Sequence, residues 1–179
     1  MTVAATQMSC GNPEENIKKA ESLVRIASSR GAQVILLQEL FQFSYFPIEL
    51  NAGNFQLATT LEESALVQGM ALLAKELHVV IPISFFERYK NSYYNSCAVI
   101  DADGTVLGVT RKMHIGGELQ CSDECCTRGT DVVDVWCQDR LGYNEKYYFT
   151  PSDDPFKVWN TVSMDPLGKD AVLCGGTEE

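Results

Sequence analysis

An α/β layered fold is predicted by three features of the sequence: an opening strand–helix–strand unit, a second helix leading into another apolar strand, and a hairpin that extends the sheet. Residues 3–8 alternate small apolar with polar side chains and read as the first strand. Asn12-Pro13-Glu14-Glu15 then supplies a cap, a first-turn proline and N-terminal acids. Ile17, Ala20, Val24 and Ala27 recur at helical spacing, with Lys18, Lys19 and Arg25 facing away and Gly31 placed as the residue that ends the helix. Val34-Ile35-Leu36-Leu37 is apolar without alternation, the texture of a strand covered on both faces, and it runs straight into Gln38 and Glu39. In open α/β sheets reactive groups collect at the carboxyl ends of strands, which makes Glu39 a candidate general base; the competing reading is a strand-end acid facing water.

The remaining elements follow in order. Residues 41–54 are aromatic without a clean period and read as a loop with a short helix. Thr60 and Glu63 have capping-box spacing and are expected to open a second helix, with Leu66, Met70, Leu73 and Leu77 as its buried stripe. Residues 79–86 form another apolar strand in which Pro82 implies an edge or a bulge. Residues 94–100 and 106–111 are strands joined by the turn Asp101-Ala102-Asp103-Gly104. From 116 to 141 the texture changes to a Gly-, Cys- and acid-containing stretch without period, expected to be an inserted loop. Order resumes at the aromatic segment 143–149, passes a turn at 151–155 and continues as a strand at 156–159. A last apolar strand is expected at 170–174.

Composition narrows the function. The chain has 179 residues, 45% hydrophobic and 21% charged, which suits one folded domain. A net charge of −10 with no Lys/Arg run argues against nucleic acid or an anionic membrane as partner. No apolar run approaches the roughly 18 residues of a membrane span, and residues 1–6 lack a signal-type pattern, so a cytoplasmic location is expected. Seven cysteines without a secretion signal read as reduced thiols. Cys10 and Cys97 are expected to be small core residues and His78 a surface residue. Cys121, Cys125, Cys126 and Cys137 offer four sulfurs, although their spacing fits no strong zinc pattern.

Three groups carry chemistry in combination: Glu39, Lys112 after the hairpin, and Glu145 among aromatics. A base, an oxyanion-stabilising cation and a second acid suit acyl transfer if a nucleophile is present, while locally Lys112 and Glu145 also read as solvated charges. Gln38-Glu39-Leu40-Phe41 with Tyr45-Phe46, Leu73-Ala74-Lys75-Glu76-Leu77, Val80-Ile81-Pro82-Ile83-Ser84-Phe85-Phe86-Glu87, Tyr94-Asn95-Ser96 and Arg111-Lys112-Met113-His114-Ile115 stand in one order. In that order the chain resembles the nitrilase (carbon–nitrogen hydrolase) superfamily over residues 3–115 and 142–161.

The resemblance implies an αββα sandwich, present here only in its N-terminal part, and a Cys-Glu-Lys site that hydrolyses a C–N bond without metal or organic cofactor. By motif, Glu39 is the general base, Lys112 the oxyanion stabiliser and Glu145 the second glutamate. His114 belongs to the same motif, in a structural role near the site. The closest branch acts on small N-carbamoyl amines, N-carbamoylputrescine above all, in polyamine synthesis, and its subunits pair, so a homo-oligomer is expected. The family nucleophile lies on a strand in a Cys-Trp-Asp-type motif, about where this chain reads Ala171-Val172-Leu173-Cys174-Gly175-Gly176. Cys174 is therefore the candidate nucleophile, although the residues after it differ and its distance from Glu145 is slightly long. Alternatively residues 162–179 are a divergent end and the chain is a shortened, inactive form that binds a complete subunit. The absent half of the family's domain would leave an apolar face uncovered.

Overall fold

The computed structural model describes residues 1–116 and 143–161, and the backbone of a strand at 171–175. The expected inserted loop and its four cysteines fall almost wholly outside the described residues. Strand β1 (Val3–Ala5) pairs in parallel with β2 (Val34–Leu36) across helix α1 (Pro13–Ser29), giving the β-α-β opening. Asn12 caps α1 by accepting from the Glu14 N–H at 2.9 Å, and Gly31 leaves it at φ 86°. Helix α2 (Ala65–Leu77) leads into β3 (Ile81–Tyr89), β4 (Ser92–Ile100) and β5 (Val106–Arg111), an antiparallel meander. A four-residue helix, α3 (Glu145–Tyr148), precedes β6 (Lys157–Thr161), which pairs antiparallel with β7 (Ala171–Gly175).

One sheet face carries the helices. Ala20 and Val24 of α1 and Leu66, Met70, Leu73 and Ala74 of α2 pack on Ile35, Ile81, Ile83, Phe85, Ala98 and Ile100. On the opposite face Val34, Val80, Val99 and Ala102 are covered by Leu107 and by Trp159 of β6, where a second layer begins. That order, helices on a sheet on the start of another sheet, is the α/β layering expected from the sequence. Val3 and Leu36, at 65% and 50% exposure, show that β1 and β2 are not covered on both faces throughout, which corrects the reading of 34–37 as a doubly buried strand. Among the described residues no helix is long and apolar enough to cross a membrane.

Two local expectations shift. Thr60 and Glu63 do exchange capping-box bonds, at 3.2 and 3.4 Å, but they close a turn; α2 starts later, capped by Ser64, whose Oγ accepts from the Val67 N–H. Cys10 is exposed beyond β1 and not a core residue, whereas Cys97 sits half-buried in β4. Pro82 occupies an edge, as expected. Val80 bonds outward to residues 33 and 35, and Phe86 and Arg88 bond outward to Thr59, so by strand parity the Pro82 nitrogen also faces away from β4.

The β4–β5 turn is built around Gly104, at φ 88°, with its N–H donating to the Asp101 carbonyl at 2.9 Å. A Cβ there would stand 2.8 Å from the backbone oxygen of Ala71 in α2. Gly104→Ala is therefore expected to lower the unfolding free energy by about 2 kcal/mol or more, read as a lower urea midpoint at unchanged slope.

Candidate active site

Glu39 lies three residues beyond β2, and its backbone is clamped from both sides. The Gln38 side chain accepts from the Met8 N–H at 2.6 Å and donates back to the Met8 carbonyl at 3.1 Å, joining the chain after β1 to the chain after β2. Leu40 follows at φ 48°, a region that branched side chains rarely occupy, and its N–H donates to Ser84 Oγ of β3 at 3.0 Å. Its buried side chain joins Phe46, Phe86, Tyr148 and Phe149 in a second core. Held this way, the Glu39 carboxylate remains 47% exposed and reaches inward to Asn95 and Lys112.

Lys112 leaves β5 at a fixed register. Its N–H donates to the Asn95 carbonyl at 2.8 Å, and its own carbonyl accepts from Ser152 at 3.1 Å. Next to it, Arg111 is locked by two bonds to the buried Glu87, at 2.6 and 2.7 Å, and by the rings of Tyr89 and Tyr94. Glu145 opens α3, which is seated by the Asn144 N–H on the Pro47 carbonyl at 2.8 Å and by the Tyr148 hydroxyl on the Glu49 carbonyl. Phe46, edge-on, and Phe55, tilted, pack against Tyr148 and hold that short helix in place, which its own four residues would not do.

The result is one ammonium between two carboxylates. Lys112 Nζ lies 3.3 Å from Glu39 Oε1 and 3.2 and 3.0 Å from the oxygens of Glu145. The Tyr45 hydroxyl donates to Glu145 Oε1, and the Gly116 N–H donates to Oε2 at 3.3 Å. Burial pulls the Lys112 pKa down, but the hydrogen bond to Glu145 and the charges of both glutamates outweigh it and hold the pKa above its ordinary value. Burial, followed by the bond to Glu145, pushes the Tyr45 phenol well up, so it serves as a donor. A fixed ammonium beside a partly exposed carboxylate can stabilise a developing oxyanion and move a proton.

Glu39, Lys112 and Glu145, separated by up to about a hundred residues in sequence, thus meet; Lys112 and Glu145 are not the solvated charges their local context allowed. Cys174 is on β7, opposite Val158 of β6, and its side chain lies outside the described residues. β6 runs away from Lys112: Ser152 and Asp154 bond near Lys112 and Arg111, Lys157 bonds Val109, and Trp159 covers Gly108. Antiparallel to it, β7 runs back toward the Lys112 end. His114 and His78 are exposed. Asn95 and Tyr45 are the members that residue-by-residue reading missed; only their place in the quoted motifs marked them.

Cys97 does not suit nucleophilic attack: it is buried enough to push its thiol up to about 11. Cys10 is exposed on the loop after β1. At pH 8 iodoacetamide is expected to label Cys97 on the order of a hundredfold more slowly than an ordinary thiol, read by peptide mass spectrometry against the unfolded chain.

Residues 2–164 match the carbon–nitrogen hydrolase family model. The chain belongs to the carbon–nitrogen hydrolase family, the nitrilase superfamily expected from its motifs. It is 42% identical to a citrullinase from Francisella tularensis, over 89% of this chain and 48% of that protein. It is 43% identical to N-carbamoylputrescine amidase from Solanum lycopersicum, over 90% of this chain and 47% of that protein. Among solved structures, a carbon–nitrogen hydrolase from Helicobacter pylori superimposes with a TM-score of 0.65 at 32% identity, covering 86% of this chain and 45% of that one. The chain therefore spans about half the length of the curated relatives it matches.

Proposed function

We propose that this chain carries the acid–base and oxyanion half of a Cys-Glu-Lys site that hydrolyses a linear N-carbamoyl amine, with Cys174 as nucleophile. The observation that supports this most is Lys112 Nζ held between Glu39 and Glu145. The Cys174 thiol gives its proton to Glu39 and its sulfur bonds the carbamoyl carbon, while Lys112 faces the resulting oxyanion. Glu39 returns the proton to the departing nitrogen, the C–N bond breaks and ammonia leaves. Water then attacks the alkylcarbamoyl thioester, Glu39 takes its proton, the thiolate leaves, and the released carbamic acid splits into amine and carbon dioxide. Glu145, with Tyr45, holds Lys112 in place.

Citrulline and N-carbamoylputrescine, the compounds named by the relatives, both end in a urea group on a short aliphatic chain, which supports that substrate class. The amine tail favours N-carbamoylputrescine, since a cationic tail is attracted by a protein of net charge −10 and the product would be putrescine. A second reading, a non-catalytic chain that binds a complete subunit, is favoured by Gly175-Gly176 standing where the family motif has Trp-Asp.

Ammonia release from N-carbamoylputrescine and from citrulline by the purified chain decides between the two readings. Hydrolysis abolished by both Cys174→Ala and Glu39→Gln supports the first. Folded wild-type chain that releases nothing, and that co-purifies with a full-length relative, supports the second.

A further inference from the structure

We infer that Asn95 is a positioning residue that aims Glu39, an inference that rests on the hydrolase reading above. Asn95 stands on β4 opposite Phe86 and is 5% exposed. Its Nδ2 donates to Glu39 Oε1, the same oxygen that Lys112 Nζ reaches at 3.3 Å. Among the described residues no group donates to Glu39 Oε2. With one oxygen pinned twice, the carboxylate loses its two-fold torsional freedom, and Oε2 is left as the oxygen that exchanges protons with the thiol.

The backbone of the same residue does a second job. The Asn95 carbonyl accepts the Lys112 N–H at 2.8 Å, so one strand position sets the base through its side chain and the cation through its main chain. The residue type matters for a chemical reason. Only the amide nitrogen can face a carboxylate, whereas an aspartate of the same shape would set two negative charges against each other. Glu39 needs such an anchor because it lies on a loop, outside any strand ladder, and its side chain is half-exposed.

Two measurements test this. In the first, the Asn95 side-chain amide is followed by NMR through an acid titration. Its resonance is expected to move by more than its linewidth in the wild type and to stay flat in Glu39→Gln; an equal movement in that variant overturns the inference. In the second, Asn95→Asp and Asn95→Ala are assayed for ammonia release after circular dichroism confirms that both fold. Each is expected to lose about a hundredfold in kcat with KM nearly unchanged. Only Asn95→Asp is expected to move the acid limb of the pH profile upward, by about one unit, because a second carboxylate opposes ionisation of the pair. A wild-type profile and kcat in Asn95→Asp overturns the inference. A wild-type chain without turnover overturns the hydrolase reading, and the amide titration alone then upholds or overturns the coupling of Asn95 to Glu39.

Discussion

Lys112→Met is expected to lower kcat for hydrolysis of the N-carbamoyl amine by about a thousandfold while leaving KM within a small factor. The lost ammonium acts on charge that exists only in the transition state, so ground-state binding is spared. The same substitution leaves Glu145, 8% exposed, without its cation and, among the described residues, with the Tyr45 hydroxyl and the Gly116 N–H as its remaining donors. The variant is therefore less stable than the wild type at neutral pH. The sign with pH follows from the raised Lys112 pKa. Its contribution is complete below the ordinary lysine value of 10.5 and is lost as pH rises through the higher folded value. The stability gap between wild type and variant, measured by urea unfolding, narrows above pH 10.5 and is level between about pH 8 and 10. A gap that is independent of pH up to the alkaline limit contradicts this account.

Glu87→Ala is expected to cost about 3–5 kcal/mol of unfolding free energy, the second large effect. Glu87 is 2% exposed and accepts from Arg111 twice and from Ser96 Oγ at 2.6 Å. Removing it strands a guanidinium that is itself largely buried and leaves a buried hydroxyl unpaired. Asp154, which bonds Arg111 at 3.4 Å, is too distant and too exposed to compensate. Because Arg111 precedes Lys112, the loss also loosens the strand end that carries the cation. A double variant, Glu87→Gln with Arg111→Met, is expected to recover most of the stability, since no buried charge then lacks a partner.

Much of the architecture was legible because it is written locally. Asn12, Pro13 and Gly31 bound α1 through cap and turn chemistry that depends on a few neighbouring residues, and Gly104 marks a turn that no other residue fits easily. Pro82 announced an edge through its missing N–H. Local signals also misled. The Thr60–Glu63 pair makes its reciprocal bonds without starting a helix, because Ser64 offers a better-placed cap. Cys10 read as core from its place after a strand, yet β1 ends at Ala5 and the chain has turned outward by then.

The site was legible only in part, for a different reason. Glu39 carries a positional signal at a strand end, but nothing local distinguishes Lys112 or Glu145 from surface charges. What buries them is remote: α3 is seated on residues 46–51, and Lys112 is placed by its bond to Asn95. Asn95 and Tyr45 look like an ordinary strand amide and an ordinary loop aromatic, and their roles arise only from the contacts they make with the two glutamates.

The most direct test of the proposed site is to quench the chain during turnover of N-carbamoylputrescine labelled with 13C in the urea carbon, and to map the label by peptide mass spectrometry. An alkylcarbamoyl thioester is expected on the peptide that bears Cys174, absent in Cys174→Ala and strongly reduced in Lys112→Met. Label on Cys10, on Cys97 or on no cysteine at all, in chain that hydrolyses the substrate, would contradict it.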